Sequence, residues 1–409
     1  MSDIERNEPP ESFVEKSASA ELLLINRKYI FFFCAATFFF WTALYLYVPI
    51  LPVYAQSLGS SLSMVGVIVA SYAMPQLLLR IPVGLLFDAI TRRRLLLAGG
   101  IATASVGALG LGLAPNPWFL FLARIITGIG AATWVTFTVY FTAYYPPEST
   151  RRAIGIINFV QGTAIVVATA CGGVIAEAWG SSYTFWGATL LGIAGLIALL
   201  SSQEPFLSQA EPVSWKRFKL IATFPPLLMV SFMGILAQFA NWAGLFGFIP
   251  VYADQIGASS ADLGIITMLT LASSAVAALI VAPVAKRWGS SFTILLGAVL
   301  MGSAIFSVPL IHSVNVLKTI MVVNGLGRGV LSTILMALSI QAVAPQQRAT
   351  AMGVYQAAYS VGMILGPLIS GSLADSLGLS AVFYLSASLC LLLAAMAYLR
   401  ILVKRQKQS

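Results

Sequence analysis

Twelve mostly apolar stretches run along this chain, each near the roughly 20 residues that a helix needs to cross a bilayer. They begin near Tyr29, Met64, Leu95, Trp118, Ala153, Tyr183, Leu227, Leu263, Phe292, Val316, Ala349 and Ala381, with turn residues or charges between them. Hydrocarbon offers backbone groups no partner, so such stretches must pair their own N–H and C=O groups as helices. Only 9% of the 409 residues are charged, against about 25% in an average soluble domain. A soluble fold, a disordered chain and a coiled coil are therefore excluded. An all-α polytopic membrane protein with twelve transmembrane helices is expected. The first apolar run is long enough to span, and residues 1–28 ahead of it are polar and mixed in charge. They read as a cytoplasmic tail rather than a cleavable signal.

Lysine and arginine set the orientation. With the N-terminus inside, nineteen of the 23 fall on the cytoplasmic side and Lys318 alone on the outer side. The remaining three, Arg80, Arg124 and Arg328, fall within spans. This places a multi-pass protein in the cell (plasma or inner) membrane with both termini cytoplasmic. It also accounts for the net charge of +9 without a nucleic-acid partner. Cys34, Cys171 and Cys390 lie in separate apolar runs and suggest no disulfide framework. A single histidine, His312, excludes a His-rich metal site.

The chain repeats itself. At an offset of 198, Ile50–Gly66 (ILPVYAQSLGSSLSMVG) aligns without a gap on Phe248–Gly264 (FIPVYADQIGASSADLG). At an offset of 89, Gly66 maps to Gly155 and Gly264 to Gly353, and the Gly84…Asp88 segment maps to Gly173…Glu177. Gly371…Asp375 is a further copy, and Ala282…Lys286 is a degraded one. Eighty-nine residues hold three helices, an odd number, so successive repeats insert with opposite polarity. Asp88 and Lys286 then sit at the inner face, Glu177 and Asp375 at the outer. Inverted repeats nested in two parallel halves are a transporter architecture. The expected divisions are residues 1–28 as tail, 29–202 and 222–403 as six-helix halves, 203–221 as a cytoplasmic linker, and 404–409 as a second tail.

Gly84-Leu-Leu-Phe-Asp88-Ala-Ile-Thr-Arg92-Arg93, between spans 2 and 3, resembles the signature loop of the major facilitator superfamily. Arg124-Ile-Ile-Thr-Gly128-Ile-Gly130, in span 4, is similar to that family's second motif. Thr91 stands where the family usually has glycine, Ala89 where it has a basic residue, and Lys286 where an acid is often found. Span 5 has Gly162 and Gly172-Gly173 but lacks the Gly-Pro of the family's antiporters; Gly366-Pro367 appears in span 11. The resemblance implies a conformational latch at Gly84, Asp88, Arg92 and Arg93, with Asp88 helping to hold the outward-open state. On chemistry alone, Gly84 permits close helix approach, and Arg92, Arg93 and Arg94 suit lipid phosphates.

The resemblance also implies a central cavity lined by spans 1, 4, 7 and 10. Arg124 and Arg328 lie inside spans 4 and 10, where an unpaired cation is costly and usually faces a cavity. Two cations without an acid partner favour an anionic substrate; the structural alternative is hydrogen bonding to backbone carbonyls at a helix crossing. Arg80 is expected to snorkel inward or to pair with Asp88. Asn158, Gln161, Gln238, Asn241, Asn324 and Gln356, with Tyr45, Trp134, Trp242 and Tyr359, complete a mixed apolar and hydrogen-bonding pocket. None of the fourteen acids lies deep in a span.

The sequence thus reads as a secondary transporter of a small amphipathic or organic-anion solute, working by alternating access, with export favoured. Uptake of an organic anion or nutrient stands as the alternative, as does a non-transporting sensor on the same fold. An enzyme is not expected, because general acid–base machinery is missing. No cofactor is expected. A coupling ion fits the fold, but no buried carboxylate supports a proton. The partners are a small-molecule substrate and the lipid bilayer, and a monomer is expected.

Overall fold

The computed structural model describes residues 11–90, 92–146, 149–205, 215–341, 343–344 and 347–406; the side chain of Asp88 and those of some other helical residues lie outside the description. Among the described residues the regular structure is all helical, with no strand. Twelve helices are long and apolar enough to cross a bilayer. Span 1 is Arg27–Tyr45, span 2 Leu62–Arg80, span 3 Arg93–Gly112, span 4 Pro117–Thr142, span 5 Arg152–Trp179 and span 6 Ser181–Leu200. Span 7 is Pro225–Gln255, span 8 Ser260–Trp288, span 9 Ser290–Leu310, span 10 Val314–Gln341, span 11 Thr350–Leu377 and span 12 Leu379–Leu399. An even number of crossings puts both ends of the chain on one face of the bundle, here called the terminal face.

The internal repeat is visible in the backbone. Span 1 is followed by a short helix, Leu51–Ser57, and the last part of span 7 is the matching helix Ile249–Gln255. Each leads into a left-handed glycine, Gly59 (φ 86°) or Gly257 (φ 87°), and then a serine N-cap. The Ser61 side chain accepts from Met64 N–H, and Ser259 forms a full capping box with Asp262. Helix exits repeat too. Gly180, Gly289 and Gly378 are all left-handed, at φ 98°, 84° and 84°. The fourth repeat-related position is Thr91, which lies outside the described residues.

Some spans break near their middles. The helix of span 2 restarts at Ala73 and runs on to Ala89. Span 4 is interrupted at Thr133. Span 7 passes through a π-helical turn at Gly244–Phe248. Such a turn adds a residue to the helix and re-aims the side chains beyond it, and it often marks a functional position.

The two halves meet on the face opposite the termini. Span 2 packs on span 11 there, and span 5 on span 8. A Cβ built on Gly173 would lie 2.8 Å from Gly264 Cα, and one on Gly371 2.7 Å from the Leu62 carbonyl oxygen. Side chains are excluded from both crossings, so the helix backbones touch. Nearer the terminal face, Gly84, Gly155, Gly162 and Gly353 have nothing within 4 Å of the Cβ position. The halves are closed on the opposite face and part toward the terminal face.

Candidate functional site: a cationic, aromatic centre between the halves

Each half brings one arginine to the middle of the bundle. Arg124 on span 4 is 2% exposed. Its guanidinium lies 4.4 Å from the Tyr72 ring centroid and 5.7 Å from that of Tyr47, and Nη1 donates to the Tyr47 hydroxyl at 3.5 Å. Cation–π contact of this kind suits a cation withdrawn from water. Arg328 on span 10 is held by polar side chains instead. Its Nε donates to Asn241 Oδ1 and its Nη1 to Ser274 Oγ, both at 2.9 Å, while Asn241 Nδ2 donates to Gln238 Oε1 at 3.2 Å. Neither arginine reaches a carboxylate among the described residues; the ion pair found there is Lys318 with Asp262, at 2.5 Å.

Arg328 lines a small cleft within the second half, with Gln238, Asn241, Ser332 and Tyr355 as its polar walls and Met301, Leu331 and Leu335 as apolar ones. Beside it an aromatic chain joins the halves. Tyr72 stacks on Trp242 (5.7 Å, 19°), Trp242 meets Phe246 at 4.8 Å, and Phe246 meets Tyr45 at 6.1 Å. Trp41 continues it, 5.7 Å from Tyr45 and edge-on to Trp134 at 5.1 Å. Trp242 and Phe246, four residues apart, share one helix face, with Phe246 inside the π-helical turn.

A third arginine marks the lower end of the span 2–span 11 contact. Arg80 Nη2 donates to Gln76 Oε1 at 2.7 Å, and Nη1 to the Tyr359 hydroxyl at 3.3 Å across the halves. This bridge across the halves stands in place of the expected inward snorkelling; the alternative, pairing with Asp88, falls on a side chain outside the described residues. Three buried nitrogens here have no partner among the described residues: Trp41 Nε1, Arg80 Nε and Arg124 Nε. All three are donors with no acceptor capacity.

The remaining sequence candidates scatter. Asn324 is buried on span 10. Gln356 is half-buried one turn from Tyr359. Asn158 is exposed and Gln161 half-buried on span 5, and neither lines the cavity. Tyr47, Tyr72, Gln76, Ser274, Phe246 and Tyr355 join the site without having been singled out. One signal was available: Tyr72, Gln76 and Arg80 recur every four residues, a polar stripe along one face of an apolar helix.

The loop motif takes a different form from its expected one. Among the described residues, nothing lies within 4 Å of the Cβ position of Gly84. Asp88's side chain lies outside the described residues. Arg92 is exposed, but Arg93 is buried and donates from Nε to the Phe87 carbonyl at 3.0 Å. Arg94 Nη1 reaches the Ser202 carbonyl at 2.7 Å and its backbone N–H reaches Glu204 Oε1 at 3.1 Å. These two arginines turn inward to helix-end carbonyls, whose partial negative charge competes with lipid phosphate. Tyr144 braces the same stretch by donating to the Gln203 carbonyl; burial pushes its phenol up to about 12, so it stays a donor.

Comparison with known proteins agrees with this architecture. The chain is 24% identical over 363 residues to an MFS-type transporter of Methanocaldococcus jannaschii, covering 86% of this chain and 93% of that one. It is 24% identical over 338 residues to Multidrug resistance protein 1 of Bacillus subtilis, covering 81% and 85%. Among solved structures, a bacterial homolog of the human lysosomal transporter Spinster, inward-facing and unoccupied, superposes with a TM-score of 0.78 at 16% identity, covering 92% of this chain and 96% of that one. The nucleoside transporter NupG does so at 0.75 and 12%, covering 91% and 99%. The family model of the Major Facilitator Superfamily matches residues 33–259 and again 231–409. The chain belongs to the major facilitator superfamily of multi-pass membrane transporters.

Proposed function

We propose that this transporter carries a small amphipathic organic anion, bound between Arg124 and Arg328 and released by alternating access. The observation that carries the reading is a surplus of donors. Among the described residues, the two span arginines reach no carboxylate, and Trp41 Nε1, Arg80 Nε and Arg124 Nε are buried without a partner. An anion meets that surplus; a cation would add to the charge already buried. Apolar walls and the aromatic chain give the rest of the solute somewhere to lie. Export is the direction we assign, on the likeness to Multidrug resistance protein 1 of Bacillus subtilis. The Lys and Arg bias makes the terminal face cytoplasmic, and we take the working unit to be a monomer. The conformational latch at Gly84, Asp88, Arg92 and Arg93 remains part of this proposal.

Thermal stabilisation of the purified protein over a panel of aromatic carboxylates, quaternary ammonium compounds and neutral amphiphiles tests the reading. Carboxylates should raise the melting temperature of the wild type and not of Arg124→Gln or Arg328→Met. Stabilisation by cations alone would overturn it.

A further inference from the structure

We infer that Glu177 and Asp375 form a two-point clasp that holds the face opposite the termini closed, and that their excess over Asp88 sets the resting conformation of the transporter. The inference rests on alternating access but not on any choice of substrate.

The clasp is built from repeat-related residues. Asp375, near the end of span 11, accepts from the backbone N–H of Leu62 (Oδ1, 3.0 Å) and of Ser63 (Oδ2, 2.8 Å) at the start of span 2. Glu177, near the end of span 5, accepts from Ala261 N–H at the start of span 8, at 3.4 Å. Each contact crosses from one half to the other. Each acid also meets a helix N-terminus, whose first N–H groups lack intrahelical partners and carry the positive end of the dipole. Below each acid, one helix turn in, lies a backbone-to-backbone crossing: Gly371 on Leu62 and Ser63, and Gly173 on Ser260 and Gly264. Charge and close packing therefore reinforce one another at both points.

The fourfold repeat places two further copies on the terminal face. One keeps its acid, Asp88. The other has lost it, because Lys286 occupies the matching position, near the end of span 8. A lysine at that place cannot accept from a helix N-terminus, and its charge opposes that of the dipole. Two acids thus favour closure of the opposite face and one favours closure of the terminal face. The observed arrangement, sealed on the opposite face and parted on the terminal face, has the sense that this imbalance requires.

Distances between spin labels read the balance directly. Ser57 and Gln255 are exposed, lie on the opposite face, and belong to different halves. Labels are placed there in the full-length protein with Cys34, Cys171 and Cys390 replaced by serine. The parent should show mainly a short separation. Glu177→Gln with Asp375→Asn should raise the long-distance population, by roughly two- to fivefold per acid on the usual strength of a charge at a helix end. Lys286→Asp should raise it too, by restoring the missing latch. Asp88→Asn should lower it. The conservative pair Glu177→Asp and Asp375→Glu should stay near the parent; a Glu177→Gln, Asp375→Asn protein that melts lower with an unmoved distance distribution would mean a purely structural role and overturn the inference. If the double variant does not fold, Lys286→Asp and Asp88→Asn still decide. Populations that do not move in opposite directions in those two overturn the inference.

Discussion

Replacing Gly173 by alanine tests the closed face sterically, with no change of charge. The new Cβ would lie 2.8 Å from Gly264 Cα and 2.7 Å from the Ser260 carbonyl oxygen. Carbon contacts are comfortable at about 3.5–4.0 Å, so spans 5 and 8 must part by roughly 0.7–1.2 Å there. Backbone lies on both sides of the contact, and neither helix has a side chain that can rotate away. Overpacking of this kind costs about 1–3 kcal/mol. The cost falls on the conformation closed at that face and not on the one open there. At about 1.4 kcal/mol per tenfold, the equilibrium should shift roughly 5- to 150-fold toward the open arrangement of the opposite face, read from the Ser57–Gln255 label distance. Gly155 and Gly353 supply the opposite arm. They are the repeat-related partners of Gly66 and Gly264, and nothing lies within 4 Å of their Cβ positions. If those positions meet when the terminal face closes, alanine there penalises the other conformation and shortens the average distance. A Gly173→Ala protein that folds with an unchanged distance distribution would refute the claim that this crossing closes the face.

Arg328→Lys should keep the charge but lose the paired grip of Asn241 and Ser274 on a planar fork, weakening carboxylate binding about tenfold by titration calorimetry, with Arg328→Met weaker still. Trp242→Ala should remove the stacking partner of both Tyr72 and Phe246, costing aromatic carboxylates at least fivefold in affinity while small aliphatic ones change little. Arg94→Ala should free the end of span 6 from span 3 and lower the melting temperature by a few degrees without altering ligand affinity, since the side chain is far from the centre. Tyr252→Phe should cost about 1 kcal/mol of stability, the worth of the hydrogen bond its hydroxyl donates to the Ile311 carbonyl at 2.8 Å.

How much of this was legible in the sequence depends on the physics involved. Span number follows from composition, because a bilayer leaves a 20-residue apolar run little choice but helix. The repeat follows as well, since glycines required at close crossings and left-handed exits, such as Gly173, Gly264, Gly180 and Gly378, stay put while apolar neighbours drift. The two central arginines are legible for the same reason: a cation in hydrocarbon needs a purpose. Their surroundings are not. Ser274 and Tyr72 look like ordinary span residues until the crossing of spans 8 and 10, or of spans 2 and 4, sets them beside a guanidinium. Trp242 and Phe246 share a helix face by their spacing of four, but that this face meets Tyr72 and Tyr45 is set by how the halves cross. Conformation is the least legible of all. The same Gly84 that reads as a contact in sequence stands clear in this structure, while its repeat-related partner Gly173 is pressed against Gly264. A chain made of inverted repeats encodes both packings at once, and only the balance of a few unmatched residues, Lys286 among them, decides which is occupied.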